Sequence, residues 1–233
     1  MRFPGLSDRP CAPVGSGSDG VVSGPSPIGS TPSPIGSGPA PGGTRVRESA
    51  ISESGGIVPD VNMRRTDLDA LHPALREAVV WLQVRFQQES IPFRLFEAYR
   101  SSLRQDWLYS QGRSGGPPGP IVTKAKAWES YHQYGLAVDF VLWLEGRWSW
   151  SDTGIYKRYW TRLQDLGKEV GLEPLSWEKP HLQVAGLELK NLQKGLYPDG
   201  GDEPWMDNLE AAAISWQGSP GAPRLVSPRP AVR

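Results

Sequence analysis

An α+β fold is predicted by three features of the chain. Apolar residues recur at alternating three- and four-residue spacings in well-separated stretches, which is the period of an amphipathic helix. Short runs of strand length, dense in apolar and aromatic residues, lie between those stretches. Helices and strands are thus segregated rather than strictly alternating, and the patterned region is confined to residues 60–216, enough chain for one core.

The elements follow in order. Pro73 suits the first turn of a helix, and Leu75, Val79, Leu82 and Phe86 make one stripe along it to about Glu89. Ser90-Ile91-Pro92 ends it. Phe93 to Tyr99 reads as a strand, with Arg100-Ser101-Ser102 at its end. Ser102 is placed to cap a second helix carrying Leu103, Trp107 and Leu108. Gly112 to Gly119 must be loop, either a surface connection or a lid over a groove; no Lys-Ser/Thr follows its Gly-Gly, so it is not a phosphate cradle. Leu136 to Trp143 is a strand with Leu136, Val138, Phe140 and Leu142 on one face and Ala137, Asp139, Val141 and Trp143 on the other. Glu145-Gly146-Arg147 is a turn. Tyr156, Tyr159, Leu163, Leu166 and Val170 mark a third helix closed by Gly171. His181 to Leu187 is a last extended segment, and Trp205 to Ile214 a short packed helix.

The flanks differ in kind. Residues 1–59 contain 12 Gly and 10 Pro with Phe3 as the single aromatic, so they cannot bury enough apolar surface to offset their ordering entropy. Pro25-Ser-Pro-Ile-Gly-Ser30 recurs as Pro32-Ser-Pro-Ile-Gly-Ser37, and its prolines forbid a heptad helix. This segment is expected to be a disordered spacer, with a docking segment or a misplaced start codon as alternatives. Residues 217–233 are expected to be a disordered C-terminal tail.

Bulk composition excludes several classes. Lys+Arg and Asp+Glu are 25 each, which gives no support for a nucleic-acid partner. The single cysteine, Cys11, rules out an internal disulfide and a Cys-rich zinc site, so a metal would have to be held by His, Asp or Glu, with three histidines available. No apolar stretch follows the N-terminus as in a signal peptide, and no run is long enough for a membrane span.

Two stretches carry the candidate chemistry: Ser130-Tyr131-His132-Gln133-Tyr134-Gly135-Leu136-Ala137-Val138-Asp139 and Glu178-Lys179-Pro180-His181. A zinc hydrolase needs three protein ligands and one open position. His132 and Asp139 converge only if His132 sits in the turn before the strand, where Gly135 lets the chain bend. Asp139 lies in an apolar run and needs a cation or hydrogen-bond donors; a metal would serve, and so would a buried salt bridge. His181 alone would pass for an ordinary core or surface histidine. Glu178 is near enough to share the site without binding metal, and a carboxylate there can shuttle a proton from water to a leaving amine. Arg100 is placed to offer its guanidinium to a carboxylate or to a carbonyl oxygen gaining charge, or to make a salt bridge. His72, before Pro73, is read as a surface or capping residue.

Ser130-x-His132-x-x-Gly135-x-Ala137-x-Asp139 followed by Glu178-x-x-His181 resembles the zinc signature of the peptidase M15 family, and Tyr99-Arg100-Ser101-x-x-x-Gln105 resembles its arginine segment. That family includes D-alanyl-D-alanine carboxypeptidases, D-Ala-D-Ala dipeptidases and phage L-alanyl-D-glutamate endopeptidases, and the sequence is most similar to the endolysin-like branch. The resemblance spans roughly residues 66–190 and implies the small hedgehog/D-Ala-D-Ala-peptidase-like zinc domain, an antiparallel sheet with flanking helices. It implies zinc held by His132, Asp139 and His181, with Glu178 as general base and then acid. Arg100 would bind substrate or stabilise the oxyanion, and Ser130 would bind substrate or support a ligand. The implied substrate is the peptidoglycan stem peptide, cut by a monomer without an acyl-enzyme. One departure is Lys179-Pro180 between Glu178 and His181, where the family often has a tryptophan; Trp177 stands just before instead. Trp148 and Trp150 either pack on the core or stack on glycan.

The expected activity is that of an L-alanyl-D-glutamate endopeptidase, made in the cytoplasm without a signal peptide and reaching the wall through holin pores or as part of a virion. A D-alanyl-D-alanine carboxypeptidase and a non-enzymatic wall or virion module are the alternatives.

Overall fold

The computed structural model describes residue 61 and residues 63–225, so the expected spacer at 1–59 and the last part of the expected tail lie outside the described residues. Helix α1 (Pro73–Gln88) begins at His72, whose ring nitrogen accepts from the Ala74 N–H. Leu75, Val79, Leu82 and Phe86, the stripe read from the sequence, are all buried, along with Ala78. Strand β1 (Phe93–Glu97) leads to helix α2 (Ser102–Ser110). A 3-10 turn at Tyr131–Tyr134 precedes strand β2 (Ala137–Leu144). Strand β3 (Arg147–Ser149), helix α3 (Ile155–Glu169), strands β4 (Leu172–Leu175) and β5 (Glu178–Val184), and helices α4 (Leu189–Gln193) and α5 (Glu203–Ser215) complete the chain order.

All strand pairs are antiparallel, and the sheet runs β1-β2-β5-β4 with β3 also paired to β2. Strand β2 is the spine. Its Asp139 pairs with Glu97 of β1 on one edge and with His181 of β5 on the other. Its Leu142 pairs with Phe93 and with Ser149. β3 and β5 therefore share one edge of β2, with β1 along the opposite edge. Leu136, Val138, Phe140 and Leu142 enter the core with α1 and α3, as the alternation requires. Phe140 meets Phe86 edge-on at a centroid separation of 5.1 Å, and Phe93 meets Trp160 at 5.0 Å. The opposite face of the sheet carries Asp139.

Several expectations need correcting. The cap of α2 is Ser101, whose hydroxyl accepts from the Arg104 N–H, one residue before the expected Ser102. The buried face of α2 is Ser102, Arg104 and Gln105, while Leu103 is exposed, because the helix packs a polar side onto the charges at the end of β1. The turn at 145–147 closes a hairpin that includes β3, and β4 was not foreseen. The last strand starts at Glu178 rather than His181 and ends at Val184. His72 is buried against Trp205, so it caps but is not on the surface. Beyond α5 the described residues, up to 225, contain no helix or strand; Trp216 Nε1 donates to the Pro220 carbonyl, and Ala222 and Leu225 lie against the core.

Gly135 shows how tightly the turn before β2 is built. Its φ is +64°, and a Cβ there would stand 2.3 Å from the Ala70 carbonyl oxygen. Its own carbonyl accepts from the His72 N–H at 3.0 Å. Gly135→Ala should therefore cost on the order of 1–3 kcal/mol. Thermal unfolding should show a fall in Tm of several degrees, about 2–4 °C per kcal/mol for a chain of this size. An unchanged Tm would contradict the backbone account.

Candidate metal centre

The 3-10 turn and two adjacent strands bring His132, Asp139 and His181 together. One potential ligand atom from each lies within 4.8 Å of the others, and all three residues are buried. His132 Nε2 is 3.2 Å from Asp139 Oδ1, and His181 Nδ1 is 3.4 Å from the same oxygen. The turn does what the spacing demanded: it folds His132 back toward Asp139, and Gly135 makes the bend.

Each imidazole is oriented by its other nitrogen. His132 Nδ1 lies 2.7 Å from the Ala98 carbonyl oxygen. A carbonyl can only accept, so Nδ1 carries the hydrogen and Nε2 presents its lone pair. His181 Nε2 lies 3.1 Å from Gln183 Oε1, which fixes the opposite tautomer and leaves Nδ1 free to ligate. His132 Nε2, Asp139 Oδ1 and His181 Nδ1 have no hydrogen-bond partner although they are buried. Three orphaned acceptors aimed at one point would be costly without a cation. Nitrogen and carboxylate donors in this number fit a zinc ion with an open position.

The two oxygens of Asp139 have separate duties. Oδ2 accepts from Arg100 Nη2 at 2.9 Å, so the salt bridge considered from sequence is present beside the candidate metal ligand. Arg100 also donates from Nε to Glu97 Oε2 at 2.8 Å and from Nη1 to Gln105 Oε1 at 3.0 Å. Arg104 Nε donates to the other oxygen of Glu97. The result is a buried neutral set of two carboxylates and two guanidiniums behind the donors. Burial pushes the Asp139 carboxyl up, but the imidazoles and Arg100 outweigh it and hold the group well below the usual carboxylate range. Burial pushes His181 down, while the Asp139 carboxylate more than compensates and raises it, so a proton and a metal compete for its Nδ1.

Glu178 reaches the site through an irregularity. Residues three apart on a regular strand face opposite sides. The β4–β5 register shifts between Pro174, paired with Leu182, and Leu175, paired with Glu178. Pro180, which has no N–H to give the ladder, sits in that interval. Glu178 is exposed, and it lines one cavity of about 870 Å³ with Arg100, Ser130, His132 and His181. Ile121 and Val122 flank this cavity on the segment before the 3-10 turn, and Trp177, 79% exposed, flanks it beside β5. The backbone N–H of Ser130 is held by Gln133 Oε1 at 3.1 Å.

All six residues singled out from sequence thus meet at one place. Glu97, Arg104 and Gln183 were not singled out, and Gln105 had been noted only as part of a motif. Their one signal was charge in unexpected company: Glu97 follows Leu95 and Phe96 at the end of a strand and is itself followed by Arg100 and Arg104.

Fold and donor set together describe an α+β domain with a candidate metal centre. Residues 69–188 match the family model VanY, D-alanyl-D-alanine carboxypeptidase, and the chain belongs to this family of M15-type peptidases. The peptidoglycan L-alanyl-D-glutamate endopeptidase CwlK of Bacillus subtilis (strain 168) is 34% identical over 124 residues, covering 49% of this chain and 73% of that protein. Among solved structures, the L,D-carboxypeptidase DacB from Streptococcus pneumoniae aligns at 21% identity with a TM-score of 0.39, over 57% of this chain and 79% of that one. The LD-carboxypeptidase LdcB aligns at 21% identity with a TM-score of 0.40, over 61% and 82%.

Two outcomes are expected. His132→Ala and His181→Ala should each abolish stoichiometric zinc in elemental analysis of purified protein; metal content equal to wild type would refute the donor assignment. Glu97→Gln should weaken zinc about 10-fold in chelator competition, since it loosens Arg100 and through it Asp139. Unchanged affinity would show that the buried charges serve folding alone.

Proposed function

We propose that the protein is a zinc-dependent peptidoglycan peptidase that hydrolyses the L-alanyl–D-glutamate bond of stem peptides. The observation that carries this reading is the convergence of three unpartnered buried donors, two of them on residues that line an open cavity which also holds an exposed carboxylate. His132, Asp139 and His181 would hold the ion. Bound there, zinc would polarise the scissile carbonyl and make water a stronger acid.

The chain's own groups supply the rest. Glu178 takes the proton of the attacking water as its oxygen bonds to the carbonyl carbon. It then returns that proton to the amine nitrogen as the C–N bond breaks. Arg100 holds Asp139 in place, and three of its five N–H donors are committed to Glu97, Gln105 and Asp139. A remaining donor can meet a carbonyl oxygen that gains charge. Ser130, on the cavity wall, hydrogen-bonds substrate.

The choice of bond is supported by the likeness to the Bacillus endopeptidase and by charge. Arg100 lies in a neutral set with Glu97, Asp139 and Arg104, so it is not a spare counter-ion for a terminal carboxylate. That suits a mid-chain carbonyl better than a free C-terminus. The family description favours D-Ala-D-Ala carboxypeptidase activity as the second reading. We extend the proposal to a monomer acting on the wall after holin-mediated release or from a virion, with residues 1–59 as spacer. Among the described residues no helix is long and apolar enough to cross a membrane.

Mass spectrometry of purified peptidoglycan digested with and without a chelator tests the reading. Chelator-sensitive scission between L-Ala and D-Glu is expected. Loss of terminal D-Ala alone would move the activity to carboxypeptidase, and no product from zinc-loaded protein would favour a non-enzymatic wall module. Glu178→Gln should keep its zinc and lose about 10²–10⁴ in kcat; near-normal turnover would remove Glu178 from the mechanism.

A further inference from the structure

The sheet face that carries Asp139 continues into an aromatic surface that the catalytic reading does not use. Along β2, Val141 and Trp143 follow Asp139 on that face. Trp143 pairs with Trp148 of β3, their ring centroids 4.8 Å apart. Phe96, at the irregularity where β1 shifts register between Leu95 and Glu97, meets Trp148 at 5.0 Å and Trp150 at 5.3 Å. β1 and β3 flank β2 on opposite edges, so these contacts pass over β2 and cover Val141, which is fully buried. The arginines add polar donors: Arg64 lies 4.1 Å over the Phe96 ring and Arg94 4.9 Å over Trp143.

Packing explains Phe96 and Trp148, which are half-buried. It does not explain Trp150, which remains 54% exposed although it meets Phe96 in a T-shaped contact. Nor is Trp150 remote from the chemistry. The chain leaving β3 runs antiparallel to β2 and back toward Asp139, and Asp152 forms an ion pair with Lys179, the residue next to Glu178. Trp150 directly follows Ser149, the partner of Leu142 on β2, and its ring meets Phe96, the neighbour of Glu97, which pairs with Asp139.

We propose that Trp150, backed by Phe96 and Trp148, is a glycan subsite that takes a pyranose ring of the same wall polymer whose peptide enters the cavity. This rests on the proposed endopeptidase activity. An exposed indole held perpendicular to Phe96 can offer a flat face to the C–H face of a sugar, and the Arg64 guanidinium, which lies over Phe96 and Trp148, can donate to hydroxyl and acetamido oxygens. The chain has no net charge and these rings are interleaved with arginines, so a neutral polyhydroxylated ligand fits better than a lipid tail or a nucleic acid. The connectivity of the substrate supplies the distance. In an L-Ala–D-Glu cut the residue on the amino side is joined through a lactyl group to muramic acid. The sugar thus stands within about 7 Å of the scissile bond at two residue-lengths of chain. A cut between the terminal D-alanines would leave the sugar several residues further away.

The test compares a disaccharide-bearing stem peptide with the same peptide lacking sugar, using zinc-loaded wild type and Trp150→Ala. Wild type should cleave the sugar-bearing form with kcat/KM about 10-fold higher, through KM. Trp150→Ala should erase that preference while its rate on the bare peptide, its zinc content and its Tm stay at wild-type values. Equal treatment of both substrates by wild type, or equal loss on both in the variant, would overturn the subsite. Peptide-free glycan strands should also quench tryptophan fluorescence in wild type and not in Trp150→Ala, with or without zinc. Absence of that binding would sink the subsite whatever the activity. Binding without cleavage of either substrate would sink the endopeptidase reading and leave the subsite standing.

Discussion

A carboxylate in the middle of the central strand is the constraint on which the rest depends. Asp139 is 6% exposed and has a strand on either side. An ion so placed loses several kcal/mol of hydration that only close, well-directed partners recover. The fold recovers it from two directions. One oxygen faces Arg100, and the other faces the open ends of two imidazoles. Arg100 is itself buried and needs a second anion, which the register shift near the end of β1 supplies by setting Glu97 opposite Asp139. Glu97 in turn takes a second cation from α2, so that helix turns a polar side inward. Each step compensates the charge introduced by the one before, and the sequence of compensations ends only where Arg104 reaches the Val61 carbonyl.

Core packing fixes where these charges stand. Val138, Phe140 and Leu142 are fully buried on the other face of β2, against α1 and α3. A slip of one residue would put Asp139 into that core and a phenyl ring into the site, so the apolar contacts hold the register that the chemistry needs. Gly167 belongs to the same argument: a Cβ there would stand 2.7 Å from Leu182, the neighbour of His181, so α3 lies as close to β5 as a glycine permits. The positions of two donors are thus consequences of hydrophobic packing on the far side of one sheet.

This division explains what could be read from the sequence. The stripes of α1 and α3, the alternation in β2, and the turn that returns His132 to Asp139 are local patterns, and all were legible. The inward side of α2 was not, because amphipathic reasoning sends Leu103 inward and Arg104 outward unless a buried Glu97 is already known. β3 and β4, of three and four residues, are too short to establish a period. The partners that set the imidazole tautomers are a carbonyl 34 residues from His132 and a glutamine two residues from His181, and neither can be assigned before the strands are in place. Pro180 was visible as a departure between Glu178 and His181, but its effect on strand alternation depends on the pairing with β4.

Rigidity and exposure are distributed in keeping with the two tasks of a polymer hydrolase. The donors lie on a turn and two central strands, where hydrogen bonds on their outer side fix each orientation before any ion arrives. Such preorganisation is what holds ligands to within a fraction of an ångström. Exposed apolar groups lie instead on the edges: Ile121 and Val122 on one side of the cavity, Trp177 on the other, and Trp150 on the segment after β3. Glu178 stands between the two regimes. In the role proposed for it, Glu178 would have to reach both a water molecule and a leaving nitrogen, which a residue locked into the buried charge set could not do. The irregular start of β5 leaves it exposed, while three residues further on the same strand holds His181 in the sheet. One short segment thus carries an exposed carboxylate and a buried donor side by side on the cavity.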